Sequence, residues 1–600
     1  MKRIILSLAL QFPMVSIQAA SFTPQERIWV DLKIIDGNRY DESLQRTHVV
    51  DSAADSTELR RIVQAQSTLV TIQNMQIVRS RNGATTTQVL VNATEKTSGK
   101  LLSSATLEQA LTTLQPGDII DYALNIHHPQ LLPANQLSLH YSLRRQMVFG
   151  DGRITVRVPK YSALQVSAKG FDQQATQTSG NQRVYTYTVR NDKPVVAEME
   201  TANPESIMPI VRASTFRDYH ELATLIRKEF AKAFVPSTAL DRVAQDIAAE
   251  NHDPRAAAQA SFRWVQQNIG YDVQAMDANG ITPRKLPDIL ANRHGDCKDH
   301  VVVLQALLRA QGLESVPALI NTENQYELLA LPVVADFNHV ITYIPALNLY
   351  VDATDKYAQF DSLPFNRQDK PVLLLAQKVR QERTPLSAAT SSVTEAHYHL
   401  DRWKMIMRSQ TTSTGDSALE TALVRDAMQG QDLGDLLRRS LTARGLGEPQ
   451  GTMSFVGDSE RINFIMSFDA GLQASQEHSG AISLNPFFSN RSTLATIGHN
   501  FQRAQRSNDF LCPPRTIAER YTVELPLGSK AMLPPSVNMQ AGEIAYQSSY
   551  TQQDNSVTVS RTYTNTSKQA VCSVRDYPRY HQLAQSINLD IYTPIKYTWP

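Results

Sequence analysis

The chain has 600 residues, with 59 basic and 58 acidic side chains and a formal net charge of +1. This balance lacks the positive excess of a nucleic-acid binder, and no long basic run supplies one locally, so we expect no nucleic-acid partner. At about 150 residues per domain, the length predicts roughly three or four domains.

The N-terminus has the order of a secretory signal. A basic start at Lys2 and Arg3 precedes an apolar run and then small residues. We expect cleavage after Ala19 or Ala20, which predicts a periplasmic or secreted protein. The alternative is an ordinary buried first strand or helix. Later apolar runs are too short to span a bilayer, so no transmembrane anchor is expected in the mature protein.

Residues 21–205 are typical of β structure. Segments 153–158 and 183–190 alternate apolar and polar side chains, as half-buried strands do, and glycine-containing turns precede both. The segment therefore predicts an N-terminal β-sandwich.

Residues 206–365 predict helices followed by an antiparallel sheet, an α+β arrangement. Apolar residues at period 3.6 indicate the first helices, and a later one has Asp253 as its cap and Pro254 at its first position. A further helix is expected from Cys297 to about Gly312. Strands then follow, joined by a turn at residues 345–348.

Residues 366–600 are expected to be mainly β, with a helix around residues 418–444. Two of the three cysteines, Cys512 and Cys572, lie in this region. In an oxidising compartment they could pair, closing a loop of about 60 residues and stabilising the fold by about 4 kcal/mol. That pairing would leave Cys297 without a partner.

Cys297 lies where a glycine-containing turn enters an apolar helix. Unpaired amide hydrogens at a helix start stabilise a thiolate over a thiol, so the position favours a nucleophile. Downstream, His339 falls within a predicted strand and Asp352 follows the next one. If the two strands form a hairpin, imidazole and carboxylate could lie side by side, with the helix bringing the thiol to them.

These motifs, in this order, resemble the transglutaminase-like superfamily, a branch of the papain-like cysteine fold. The resemblance rests on Gly-Asp-Cys-Lys-Asp at 295–299, Asn-His at 338–339, Asp-x-Thr at 352–354, and the segments 264–271 and 288–295. It covers roughly residues 210–360. The β region before it resembles DUF3857, a domain of unknown function that precedes such cores in exported bacterial proteins.

The resemblance implies that Cys297 is the nucleophile, His339 the general base and acid, and Asp352 the orienting carboxylate. The reaction it implies is acyl transfer at an amide, through a thioester that water or an amine then accepts. Two departures are mild. His294 stands where the family often has Tyr, and Ala353 where it often has Pro, and neither position supplies a catalytic group.

Nearby side chains offer alternatives. His294 and His300, each three positions from the cysteine, suggest zinc, but three ligands on one turn do not complete a site. Asp355 is a rival orienting carboxylate and His300 a rival base, although we expect His300 to face solvent. We interpret Trp264 and Tyr271 as core packing.

The sequence thus predicts an exported multidomain protein with an N-terminal β-sandwich (21–205), a transglutaminase-like α+β core (206–365) and a mainly β C-terminal region (366–600). The expected activity is that of a thiol-dependent amide hydrolase or acyl transferase with a peptide, protein or cell-envelope substrate. No cofactor is expected, and no carboxylates at calcium-loop spacing suggest a metal. The alternative is a non-catalytic envelope scaffold that retains the fold.

Overall fold

The computed structural model describes residues 27–35, 39–50, 60, 70–81, 84–92, 104–128, 132–133, 136–143, 149–191, 198–272, 280–386, 390–472, 478–484 and 493–600. The predicted signal, residues 1–20, lies outside these ranges. Within them, no helix combines the length and the apolar character that crossing a membrane requires.

The N-terminal region is strand-rich. Its elements are β1 (Arg27–Ile34), β2 (Tyr40–Val49), β3 (Val70–Arg81), β4 (Ala84–Asn92), α1 (Ser104–Leu111), β5 (Ile119–His128), β6 (Ser138–Ser142), β7 (Phe149–Pro159), β8 (Gln165–Lys169), β9 (Gln173–Ser179), β10 (Gln182–Asn191) and β11 (Ile210–Ser214).

Two sheets form this region. An eight-stranded sheet, β4-β3-β5-β2-β1-β7-β10-β9, packs against a three-stranded sheet, β6-β11-β8. Alternate residues of β1 and β7, such as Leu32 and Val156, meet Leu139 and Val211 between the sheets because strand side chains point to opposite faces in turn. The predicted sandwich is thus present. It extends past the expected boundary at residue 205, since β11 is its central short strand.

The central region places helices before strands. Its elements are α2 (Tyr219–Ala233), α3 (Thr238–Glu250), α4 (Pro254–Asn268), β12 (Gly270–Tyr271), α5 (Leu286–Asn292), β13 (His294–Gly295), α6 (Cys297–Ala310), β14 (Val316–Ile320), β15 (His339–Ile344), β16 (Leu349–Val351), β17 (Pro371–Leu374) and β18 (Arg380–Arg383).

The helix α6 is the centre of the main core cluster. Its buried residues, among them Val302 and Leu307, pack with apolar side chains of α2, α3, α4 and β15. Asp253 caps α4 and Pro254 is its first residue, as predicted. The antiparallel sheet has the order β16-β15-β14-β17-β18. It continues past the expected boundary at residue 365, because β17 pairs with β14.

The C-terminal region is strand-rich as well. Its elements are β19 (Thr390–Leu400), β20 (Lys404–Thr414), α7 (Asp416–Ala427), α8 (Leu433–Ala443), β21 (Gly447–Gly457), β22 (Arg461–Gly471), β23 (Ser479–Ile482), α9 (Leu494–Asn500), β24 (Phe510–Leu511), β25 (Arg515–Glu524), β26 (Lys530–Met532), β27 (Val537–Ala541), β28 (Ile544–Gln553), β29 (Ser556–Asn565), β30 (Val571–Cys572), α10 (Tyr577–Tyr592) and β31 (Ile595–Thr598).

An eight-stranded sheet, β21-β22-β20-β19-β25-β29-β28-β27, forms the frame of this region. The helix expected around residues 418–444 is two helices, because Gly430 adopts a positive φ and Asp432 then caps α8. Cys512 and Cys572 form a disulfide, the pairing that the sequence allowed. Cys297 is free.

Candidate active site

A capping box fixes the start of α6 at Cys297. The Asp296 carboxylate accepts hydrogen bonds from the backbone N–H of Lys298 (2.9 Å) and Asp299 (3.3 Å), and the Asp299 carboxylate accepts one from the Asp296 N–H (3.1 Å). Asp, Ser or Thr before a helix and an acidic residue three positions later satisfy the unpaired amides in this way. The thiol therefore lies in the first turn, where the helix dipole favours a negative charge.

Two cations neutralise the carboxylates of this capping box. Lys298 Nζ lies 2.7 Å from Asp296 Oδ2, and the lysine is only 1% exposed. Arg284 Nε donates to Asp299 Oδ2 at 2.8 Å. The negative charges that cap the helix are thus paired beside the thiol. The buried lysine was not predicted, although an Asp-x-Lys pair flanking the cysteine was legible in the sequence.

Gly295 leaves room for the capping box. A Cβ at this position would lie 2.6 Å from the Asp299 Cβ, a separation that real contacts do not reach. Only glycine therefore fits immediately before Asp296 while Asp299 keeps its place.

The predicted hairpin brings His339 and Asp352 together. β15 starts at His339 and pairs antiparallel with β16, which ends one residue before Asp352. His339 Nε2 lies 2.8 Å from Asp352 Oδ2. Thr354 donates to Asp352 Oδ1 from both its backbone N–H (3.1 Å) and its hydroxyl (2.6 Å). The carboxylate is therefore held at both oxygens.

The Cys297 thiol interacts with the same imidazole. The helix α6 packs against β15, and the Cys297 thiol makes a side-chain hydrogen bond that raises the pKa of His339. All three side chains are buried. Thiol, imidazole and carboxylate thus follow one another in the order of a cysteine-protease triad.

The family comparison agrees with this geometry. Residues 241–342 match the transglutaminase-like superfamily. These residues form a transglutaminase-like domain. The matched segment includes Cys297 and His339 and ends ten residues before Asp352. No curated protein matches the chain.

Solved structures share the fold. One of them is a protein from Parabacteroides distasonis described as a "putative protease", with a TM-score of 0.60 and 12% sequence identity. The likeness covers 95% of this chain and 98% of that chain, so it extends to the strand-rich regions on both sides of the transglutaminase-like domain.

Electrostatics at this site favour the ionised forms of both His339 and Asp352. Burial lowers the pKa of His339, but the charge of Asp352 and hydrogen bonds to Asp352 and Cys297 outweigh it and raise the pKa to about 9. Burial raises the pKa of Asp352, whereas the charges of His339 and Arg367 bring it well below its usual range. At neutral pH the imidazole therefore holds a proton beside the thiol.

Arg367 is a member of this site that sequence reasoning missed. Its Nε lies 2.5 Å from Asp352 Oδ2, and its side chain is 13% exposed. It belongs to a short 3-10 turn, Phe365–Arg367, well past the matched segment. No local motif marks it, and only the tertiary fold brings it to the carboxylate.

His300 is not the base, and the expectation that it faces solvent was wrong. Its Nδ1 lies 2.9 Å from the Asp296 carbonyl oxygen and its Nε2 lies 3.1 Å from that of Ile269, so backbone carbonyls engage both nitrogens. Burial lowers its pKa. The contacts also argue against the zinc alternative, since the exposed His294 side chain lies 3.5 Å from Asp272 and backbone carbonyls engage both nitrogens of His300. Among the described residues, no three ligating side chains could hold a metal.

Asp355, Trp264 and Tyr271 differ in their surroundings. Asp355 accepts a hydrogen bond from the Tyr357 N–H (3.0 Å) and caps a turn beyond the triad. Trp264 is half-buried against the core cluster, as expected. Tyr271, expected in the core, is 38% exposed. Burial raises its pKa, and so do the charges of Cys297 and Asp352. Its ring lies edge-on to that of His300, with the centroids 5.6 Å apart.

Proposed function

We propose that this protein is a thiol-dependent amide hydrolase or acyl transferase that acts through Cys297, His339 and Asp352. The observation that carries the proposal is that the His339 imidazole interacts with both the Asp352 carboxylate and the Cys297 thiol, which lies at the start of a capped helix. The name of the structural relative, a "putative protease", agrees with the hydrolase form.

The residues have separate tasks in this reaction. The Cys297 thiolate attacks an amide carbonyl, forming a C–S bond, and the His339 imidazolium gives its proton to the leaving amine as the C–N bond breaks. The resulting thioester is attacked by water or by an amine, with His339 now taking the proton and the thiolate leaving. The backbone N–H of Cys297, free at the helix start, can stabilise the oxyanion.

The substrate belongs to the cell envelope in this proposal. The signal-like first residues direct the chain out of the cytoplasm, and the N-terminal region resembles a domain of exported bacterial proteins. A peptide, a protein or an envelope polymer with amide bonds would then meet the thiol there. A disulfide between Cys512 and Cys572 is compatible with an oxidising compartment.

One observation favours the second candidate, a non-catalytic scaffold. Cys297 has no exposed surface, so a substrate cannot reach it without some opening of the site. A scaffold would keep the fold and the buried contacts but would have an ordinary, slowly reacting thiol.

Alkylation by iodoacetamide at pH 6 separates the two candidates. Cys297 is the free cysteine, so uptake of one label reports on it alone. We expect the wild type to react roughly 100-fold faster than His339→Gln, because a thiol with a pKa of about 8.5 is less than about 1% ionised at this pH.

Two controls define the measurement. Cys297→Ala should take up no label, and urea-unfolded wild type and His339→Gln should react at equal rates. Equal native rates for the two proteins would overturn the catalytic proposal and leave the scaffold.

A further inference from the structure

Asp352 has two cationic partners that share one oxygen. His339 Nε2 lies 2.8 Å from Oδ2, and Arg367 Nε lies 2.5 Å from the same atom. Thr354 occupies Oδ1 with two hydrogen bonds. With both cations on Oδ2 and two Thr354 donors on Oδ1, the carboxylate has little freedom to rotate away from the imidazole.

The C-terminal region holds the turn that carries Arg367. Asp416, the first residue of α7, accepts a hydrogen bond from the Phe365 N–H at Oδ1 (2.9 Å) and one from the Gln368 side chain at Oδ2 (3.3 Å). These donors lie on either side of Arg367 in sequence. One carboxylate from another region of the chain thus fixes both ends of the turn.

The segment between Asp352 and this turn is fastened to the C-terminal region at a second place. The Tyr357 hydroxyl donates to Asp426 of α7, and Lys356 Nζ lies 3.2 Å from the same carboxylate. Gln359 Nε2 donates to the Ser459 carbonyl at 3.0 Å. The C-terminal region therefore contacts this loop along most of its length.

One side of the turn borders a cavity. A cavity of about 280 Å³ lies between the central and C-terminal regions, and its lining includes Asp355, Phe365, Arg367 and Asp416. Apolar packing on that side is incomplete, so hydrogen bonds to Asp416 have more influence on where the turn sits.

We propose that Arg367 is a positioning residue for the triad and that the C-terminal region completes the site by holding Arg367 through Asp416. The proposal rests on the proposed function, because it describes how that same triad is kept in place. The guanidinium also competes with the imidazolium for Asp352 Oδ2. Arg367 therefore limits how strongly the carboxylate retains the proton on His339.

The pH dependence of alkylation by iodoacetate tests this role. This anionic probe reacts fastest while His339 is protonated, so its rate falls at high pH as the imidazolium is lost. In Arg367→Gln we expect the alkylation rate at pH 7 to fall about tenfold. We also expect the high-pH limb, the fall in rate as the imidazolium is lost, to move up by about one pH unit, because a cation near the imidazolium is gone. Arg367→Lys should keep the limb near its wild-type position.

A nearby arginine provides the matched control. Arg383 pairs with Asp369 at 3.0 Å and not with Asp352, so Arg383→Gln should leave both the alkylation rate and its pH dependence unchanged. An Arg367→Gln profile that superimposes on the wild type would overturn the proposal. So would a slower rate with an unmoved limb, since loss of structure alone would produce it.

A second pair of variants tests the contribution of the C-terminal region. Asp416→Ala should slow alkylation as Arg367→Gln does, whereas Asp432→Ala, which removes the cap of α8 but no contact to the turn, should not. Equal rates for these two variants would contradict the role of Asp416. His339→Gln tells the two proposals apart: if it slows alkylation and Arg367→Gln does not, only the positioning role fails.

Discussion

In the central region, Asp352 contacts both His339 and Arg367, while in the C-terminal region Asp590 contacts Arg561 and two tyrosines. We call the first set, His339, Asp352, Thr354 and Arg367, the triad network. The second, the C-terminal network, contains Glu519, Tyr546, Tyr550, Arg561 and Asp590. Arg561 lies 3.3 Å from Asp590 and 3.7 Å from Glu519, and the hydroxyls of both tyrosines donate to Asp590.

Both networks bury a carboxylate beside an arginine, and both have shifted pKa values. Burial raises the pKa of Glu519, just as burial and charge shift those of His339 and Asp352. The difference is the third partner. In the triad network the carboxylate contacts an imidazole that interacts with a thiol, whereas in the C-terminal network it contacts the hydroxyls of Tyr546 and Tyr550. A perturbed pKa alone therefore does not identify a catalytic group.

The largest expected effect is on stability, from Arg561→Met. This change leaves two buried carboxylates without their cation, and breaking a buried pair costs about 3–5 kcal/mol. Urea denaturation should show that loss, while iodoacetamide alkylation of Cys297 under native conditions keeps its wild-type rate. A large drop in the alkylation rate of the folded variant would mean that the two networks are not independent.

The next effect is the pH dependence of stability that His339 introduces. Its pKa is raised to about 9 in the folded protein, against about 6.5 in the unfolded chain. The stabilisation that protonated His339 adds to the free energy of unfolding is therefore fully present below pH 6.5. It is lost as the pH rises to 9, a change on the order of 3 kcal/mol. Urea denaturation of wild type and His339→Gln at pH 6 and pH 9 measures it. Parallel changes in the two proteins would argue against this ion pair.

A matched pair of amides gives a third comparison. Asp352→Asn should slow alkylation at pH 6 by up to about 100-fold, because an amide neither retains the imidazolium nor fixes its orientation. Asp590→Asn, the equivalent change in the C-terminal network, should not slow it. If both variants behave like the wild type in this assay, the carboxylate has no role in activating the thiol.

The sequence predicted the parts of the site that local patterns encode. Cys297 was legible because a turn, a cap and an apolar helix surround it, and His339 and Asp352 because one short hairpin joins them. Arg367 was not predicted. It reaches Asp352 through a loop whose position depends on the C-terminal region, and no periodicity records that contact.

The sequence did not predict one helix of the C-terminal region, and it placed one buried side chain wrongly. Six of the buried residues of α10, namely Tyr577, Tyr580, Leu583, Ala584, Ile587 and Ile591, recur at helical spacing, yet this helix was not predicted among the surrounding strands. His300 was expected to face solvent because it lies one helical turn beyond the thiol, but two backbone carbonyls contact its ring nitrogens in the interior.

The central pair of the C-terminal sheet has a consequence for how the chain folds. β19 and β25 run parallel, and Thr390 pairs with Arg515, 125 positions later. Contacts between such distant residues form slowly, because the intervening loop must close first. During synthesis, the edge of β19 that pairs with β25 stays unpaired until β25 has been made. An unpaired strand edge can pair wrongly with another chain. The sheet beside α7 is therefore among the last parts of the protein to be completed.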